Sequence, residues 1–87
     1  MNEYSVELRP ASARFLKKCK DQDLVQKLAE SIDSLIPNPR PTGVEKLSGM
    51  GNRYRIRCGD YRIIYEIYDA RQTIIIMDIG HRRDIYR

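Results

Sequence analysis

The sequence predicts a small α+β domain, with two N-terminal helices packed on one face of a small antiparallel β-sheet. Three observations carry that prediction. Apolar residues recur at helical spacing between Phe15 and Ile36, and they alternate with charged ones from Arg53 to Glu66. A run of isoleucines at residues 73–79 then supplies a strand apolar enough to lie centrally in a sheet. Residues 1–87 form a single domain, long enough to bury roughly 60–65 % of the unfolded surface without a metal or a disulfide.

Each element follows from local chemistry. Tyr4-Ser5-Val6-Glu7-Leu8 alternates and reads as a short first strand. Pro10 suits the first turn of a helix running to about Lys20, with Phe15, Leu16 and Cys19 inward and Arg14, Lys17, Lys18 and Lys20 outward. Asp21 or Asp23 caps a second helix, in which Leu24, Leu28, Ile32 and Leu35 share one stripe beside Val25, Ala29 and Ile36. Pro37-Asn38-Pro39-Arg40-Pro41 stops it. Gly59-Asp60 is a two-residue turn signal, with glycine supplying the positive φ of a type II′ turn. That turn sets the register of a hairpin: Cys58 closes against Tyr61, Arg57 faces Arg62, Ile56 faces Ile63 and Arg53 faces Glu66. Gly80 ends the last strand and leaves the tail from His81 to Arg87.

Composition narrows the class. A hydrophobic content of 41 % with 32 % charged residues describes an ordinary folded domain, and no apolar run is long enough to span a membrane. No signal peptide is read after Met1-Asn2-Glu3, so a cytoplasmic protein without a membrane partner is expected. Cys19 and Cys58 have neither CxxC nor metal-ligand spacing and are read as reduced thiols, and no metal is assigned. The net charge of +4 points to a polyanion or an acidic protein as partner.

The cations change character along the chain. All five lysines lie at or before Lys46, whereas the last 35 residues hold eight arginines and no lysine. A guanidinium is a planar fork that grips phosphate through two parallel hydrogen bonds. Strand alternation puts Arg53, Arg55 and Arg57 on one face, and the turn sets Arg57 against Arg62. A like-charge cross-strand pair costs up to about 1 kcal/mol. An anionic ligand is the simplest reason to keep it, although an exposed arginine row also fits the solvated face of an amphipathic sheet. The sequence shows no Ser-His-Asp arrangement, phosphate-binding glycine loop, paired carboxylates or metal cluster, and its single histidine excludes a two-histidine ribonuclease. Arginine, tyrosine and one histidine remain. Such a set can bind RNA, stack on a base and stabilise a pentacoordinate phosphate.

Four segments then resemble the RelE toxins of the RelE/ParE superfamily. They are Lys46-Leu47-Ser48-Gly49-Met50, Tyr54-Arg55-Ile56-Arg57, Gly59-Asp60-Tyr61-Arg62-Ile63-Ile64-Tyr65 and Gly80-His81-Arg82-Arg83-Asp84-Ile85-Tyr86-Arg87, and the likeness covers nearly the whole chain. The resemblance implies a type II toxin that enters the ribosomal A site. There it would cut messenger RNA by attack of the substrate 2′-hydroxyl on the adjacent phosphate, without metal or other cofactor. It implies a cognate acidic, RelB-like antitoxin, with operator DNA reached only through that antitoxin.

Residue by residue, the likeness assigns Arg62 to the scissile phosphate and Arg82 to the transition state or leaving group. Tyr86 falls to base stacking or activation of the nucleophile. Arg57 joins these as a catalytic residue, and Arg55, Arg53, Lys46 and Arg83 are read as RNA or phosphate ligands. Arg55 and Arg57 stand where the best-known member has lysines, and a guanidinium cannot serve as a general base. The base is therefore left to Tyr86 or His81. Two other readings stay open: a non-enzymatic gyrase inhibitor like the ParE branch, and a degenerate toxin that only binds its antitoxin.

Overall fold

The computed structural model describes residues 3–47, 49 and 51–85, with the backbone alone at 84 and 85. Ser48, Met50, Tyr86 and Arg87 lie outside the described residues. The chain runs β1 (Ser5–Leu8), α1 (Pro10–Lys18), α2 (Gln22–Asp33), β2 (Glu45–Lys46), β3 (Arg53–Cys58), β4 (Tyr61–Tyr68), a 3-10 turn (Asp69–Arg71), β5 (Thr73–His81) and α3 (Arg82–Ile85).

The strands form one sheet in the order β1-β5-β4-β3-β2. The α+β class is as the sequence predicts, but the sheet is mixed rather than antiparallel throughout, because β1 lies parallel to β5. A parallel pair needs a long connection, and two helices and the β2–β4 meander intervene here. Interior placement of β5, between β1 and β4, agrees with its apolar sequence.

Pro10 opens α1 at a position where its missing N–H costs nothing. The helix ends at Lys18 rather than near Lys20, since the chain must leave it to present Asp21, whose carboxylate accepts the Leu24 N–H at 3.1 Å. Asp21, not Asp23, is thus the cap of α2. Leu28, Ile32 and Leu35 come off α2 and its end onto Ile63, Tyr65, Ile67, Ile74, Ile76 and Ile79 of the two central strands. Each such side chain contributes about 1.5–3 kcal/mol by leaving water. Two polar pins fix the layers. The fully buried Ser12 donates from Oγ to the Ile76 carbonyl at 3.0 Å, and Tyr65 donates to the Pro39 carbonyl at 2.7 Å.

Gly80 does not end the last strand. Pairing of β5 with β4 continues through Arg62 opposite Gly80 to Tyr61 opposite His81, so the full length of β4 is covered. An irregularity between Ile64 and Tyr65 leaves Met77 out of the pairing and keeps Asp78 opposite Ile64.

Candidate nucleic-acid interface

The hairpin register is the one that Gly59-Asp60 dictates. Gly59 takes φ +61°, and the partners are Cys58 with Tyr61, Arg57 with Arg62, Ile56 with Ile63 and Arg53 with Glu66. Residues directly opposite share a face, so Arg53, Arg55, Arg57 and Arg62 all stand on the side of the sheet away from the core.

These arginines are not equivalent. Arg53 reaches Glu66 through Nη2 at 2.5 Å and Nε at 3.0 Å. Tyr68 donates to the same carboxyl group, at 2.5 Å, and these two donors, Tyr68 foremost, hold Glu66 below the usual carboxylate range. Arg55 lies opposite Glu45 of β2 and is bound to it at 2.9 and 3.1 Å. Arg57 and Arg62 face each other instead, and among the described residues neither belongs to an ion pair. The exposed Arg57 and half-buried Arg62 therefore put two permanent charges at the turn end of the face, with Arg62 held by its own strand's Tyr61 carbonyl at 3.2 Å.

The tail returns to this same end. Gly80 puts no side chain opposite Arg62, and two residues later the Arg82 N–H donates to the Asp60 carbonyl at 2.9 Å. Arg82 and Arg83 are exposed in α3. Lys46 is separate: it lies opposite Tyr54, on the helix side of the sheet, away from the arginine face. Tyr86, expected at the site, is outside the described residues. His81 packs the edge of its ring on Tyr61 at 5.3 Å between centroids, and its Nδ1 accepts the Arg83 N–H at 3.2 Å. Among the described residues no group of three or more His, Cys, Asp and Glu side chains could hold a metal.

One residue of this face was not singled out from sequence. Asp78 is exposed opposite Ile64, one cross-strand row from Arg62. Strand alternation alone could have found it, had the pairing of β4 with β5 been known.

A small mixed sheet with two helices on one side, and on the other two facing arginines outside any ion pair among the described residues, defines a small α+β domain with a basic hairpin end. The comparisons with known proteins narrow it. Residues 6–86 match the family described as ParE toxin of type II toxin–antitoxin system, parDE. Toxin RelG of Mycobacterium tuberculosis is 29 % identical over 84 residues, which cover 97 % of either chain. Among solved structures, the RelE–RelB complex of Pyrococcus horikoshii aligns with a TM-score of 0.79 and 30 % identity, covering 94 % of this chain and 97 % of that one. The toxin–antitoxin complex RelBE2 of Mycobacterium tuberculosis aligns at 0.74 and 25 %, covering 92 % and 99 %. The chain belongs to the RelE/ParE superfamily of type II toxins.

Proposed function

We propose that this toxin cuts messenger RNA on the ribosome. The observation behind the reading is the pair Arg57 and Arg62, set opposite each other with no carboxylate bound to either among the described residues, while Arg53 and Arg55 have one each. Arg62 binds a non-bridging oxygen of the scissile phosphate, and Arg57 shares the charge that builds as phosphorus becomes pentacoordinate. The substrate 2′-hydroxyl oxygen bonds to phosphorus and the 5′-oxygen leaves, with Arg82 beside it as its negative charge develops. Tyr86, as the phenolate, accepts the proton of the 2′-hydroxyl, and the departing 5′-oxygen takes a proton from water. Tyr86→Phe then slows the chemical step on the order of 10²–10⁴-fold in single-turnover cleavage on saturating ribosomes. A loss within about threefold would leave Tyr86 a stacking residue, since stacking survives in Phe.

Primer extension on a messenger in programmed ribosomes, with and without the protein, tests the whole reading. A new 5′ end within the A-site codon, read as a stop of the extended primer, is the expected result; no new end contradicts it. The partner in this reading is an acidic, RelB-like antitoxin, as the complexes from P. horikoshii and M. tuberculosis suggest. It folds on the toxin surface, and calorimetry should show tight binding with a large negative heat-capacity change.

The ParE description of the matching family favours a second reading, a non-enzymatic inhibitor of DNA gyrase. A supercoiling assay separates the two: inhibition of gyrase without messenger cleavage would select the second.

A further inference from the structure

The tail that carries Arg82 and Arg83 starts at a histidine whose ring makes a polar contact that the mechanism above does not use. His81 is the last residue of β5 and stands immediately before α3. It occupies the N-cap position, where a side-chain acceptor satisfies the N–H of the second helical residue. That is the bond observed, from the Arg83 N–H to His81 Nδ1 at 3.2 Å. The first helical N–H, that of Arg82, goes to the Asp60 carbonyl at 2.9 Å. The ring itself is steadied by an edge contact with Tyr61 at 5.3 Å, and Tyr61 makes another with Phe15 of α1 at 6.0 Å. One backbone bond thus docks the tail on the hairpin end, and a local one to the imidazole shapes the first turn that presents Arg82 and Arg83 there.

Only the neutral ring can make the second bond. Nδ1 must carry a lone pair to accept from Arg83, whereas in the imidazolium both nitrogens are donors. Protonation would set an N–H against an N–H, and it would add a positive charge at the positive end of a helix. Arg82 and Arg83, which follow the ring in α3, oppose that charge further, whereas Asp60 of the turn, whose backbone carbonyl holds the Arg82 N–H, brings a carboxylate of the opposite sign to the same end. From α1, Phe15 packs against Tyr61 and adds no charge there.

We infer that His81 is a pH-sensitive positioning residue, whose neutral imidazole caps α3 and docks Arg82 and Arg83 at the hairpin end of the arginine face, and whose protonation releases them. The inference rests on the cleavage reading for its effect on activity, but the cap itself does not. Imidazole is the side chain whose unperturbed charge change falls between about pH 5 and pH 8, so that is the range in which release is sought.

The test measures two things on the full chain: amide exchange at Arg83 in the free toxin, and single-turnover cleavage on programmed ribosomes. Both are followed across that pH range in the wild type, His81→Asn and His81→Ala. Asparagine caps helices as an acceptor and does not titrate. In the wild type, protection of the Arg83 amide over its intrinsic exchange rate should fall about five- to tenfold from neutral to mildly acid pH, the size of a lost cap. His81→Asn should keep that protection at every pH. It should cleave within about threefold of wild type at neutral pH and overtake it in acid; the ratio of the two removes any pH response of the ribosome. His81→Ala should lose protection throughout. Wild-type protection that ignores pH, or an Ala variant as protected as wild type, would overturn the inference. A wild type that cuts at no pH would refute the cleavage reading instead, while amide exchange still decides the cap.

Discussion

Along β3, Arg53 and Arg55 sit against Glu66 and Glu45, whereas Arg57 at the turn end sits against Arg62. The three are on one face, a pleat apart, so backbone geometry does not separate them. Their partners do. The far end of the face is an ordinary compensated sheet surface, in which the Glu66 side chain is only 13 % exposed and receives both Arg53 and Tyr68. The turn end accepts a like-charge pair that costs up to about 1 kcal/mol, and the backbone of Arg82 is bonded to the same turn. Charge kept together against its own repulsion is charge available to an anion from outside. Arginine number is therefore a poor guide to where the proposed site lies; the pairing pattern is the better one.

Turning the unpaired end into a paired one should give the largest effect. Arg57→Glu places a carboxylate opposite Arg62, removing the repulsion and filling the phosphate position with negative charge. Cleavage should fall on the order of 10³-fold while the urea midpoint stays level or rises. A variant that loses activity and unfolds more easily would show that Arg57 serves packing rather than phosphate.

The compensated end should respond in the opposite sense. Arg53→Ala leaves the part-buried Glu66 without its arginine, and a loss of about 1–3 kcal/mol in urea-unfolding free energy is expected. Arg62→Ala should cost nothing in the same experiment. Equal losses in the two would erase the distinction between the ends.

The smallest effect concerns acid. Glu66 is depressed by Tyr68 and Arg53, and Asp69 by Arg40, which donates to it at 2.8 and 3.2 Å, and then by Tyr4 at 2.6 Å. A carboxyl lowered in the folded state contributes stability that is complete above its unfolded value, about 4. That contribution is lost as pH falls through the lower folded value. The urea midpoint should therefore drop between about pH 5 and pH 3, and the drop should be shallower in Glu66→Gln. A Gln variant with the wild-type slope would mean that Glu66 is not linked to folding in this window.

How much of this was legible in the sequence depends on range. The β3–β4 register followed from Gly59-Asp60, because a two-residue turn leaves no freedom to slip. That register alone revealed the Arg57–Arg62 pair and the Arg53–Glu66 pair. What escaped was set by pairings that no short turn encodes. β2 delivers Glu45 to Arg55 and turns Lys46 away, across a loop whose geometry the sequence does not announce. The parallel alignment of β1 with β5 joins the two ends of the chain, and the β4–β5 irregularity decides that Asp78 faces the arginines. The sequence leaves His81 a candidate base, and only the fold reveals that its Nδ1 accepts the Arg83 N–H at the start of α3.

An alanine scan of the four sheet arginines, read by single-turnover cleavage on the same programmed ribosomes, bears most directly on the central claim. Arg57→Ala and Arg62→Ala should each lose on the order of 10²–10³-fold, while Arg53→Ala and Arg55→Ala stay within about threefold of wild type once folding is matched. Losses spread evenly over all four, or an Arg62→Ala protein that cuts at the wild-type rate, would contradict the claim that the unpaired end of the sheet is where the phosphate binds.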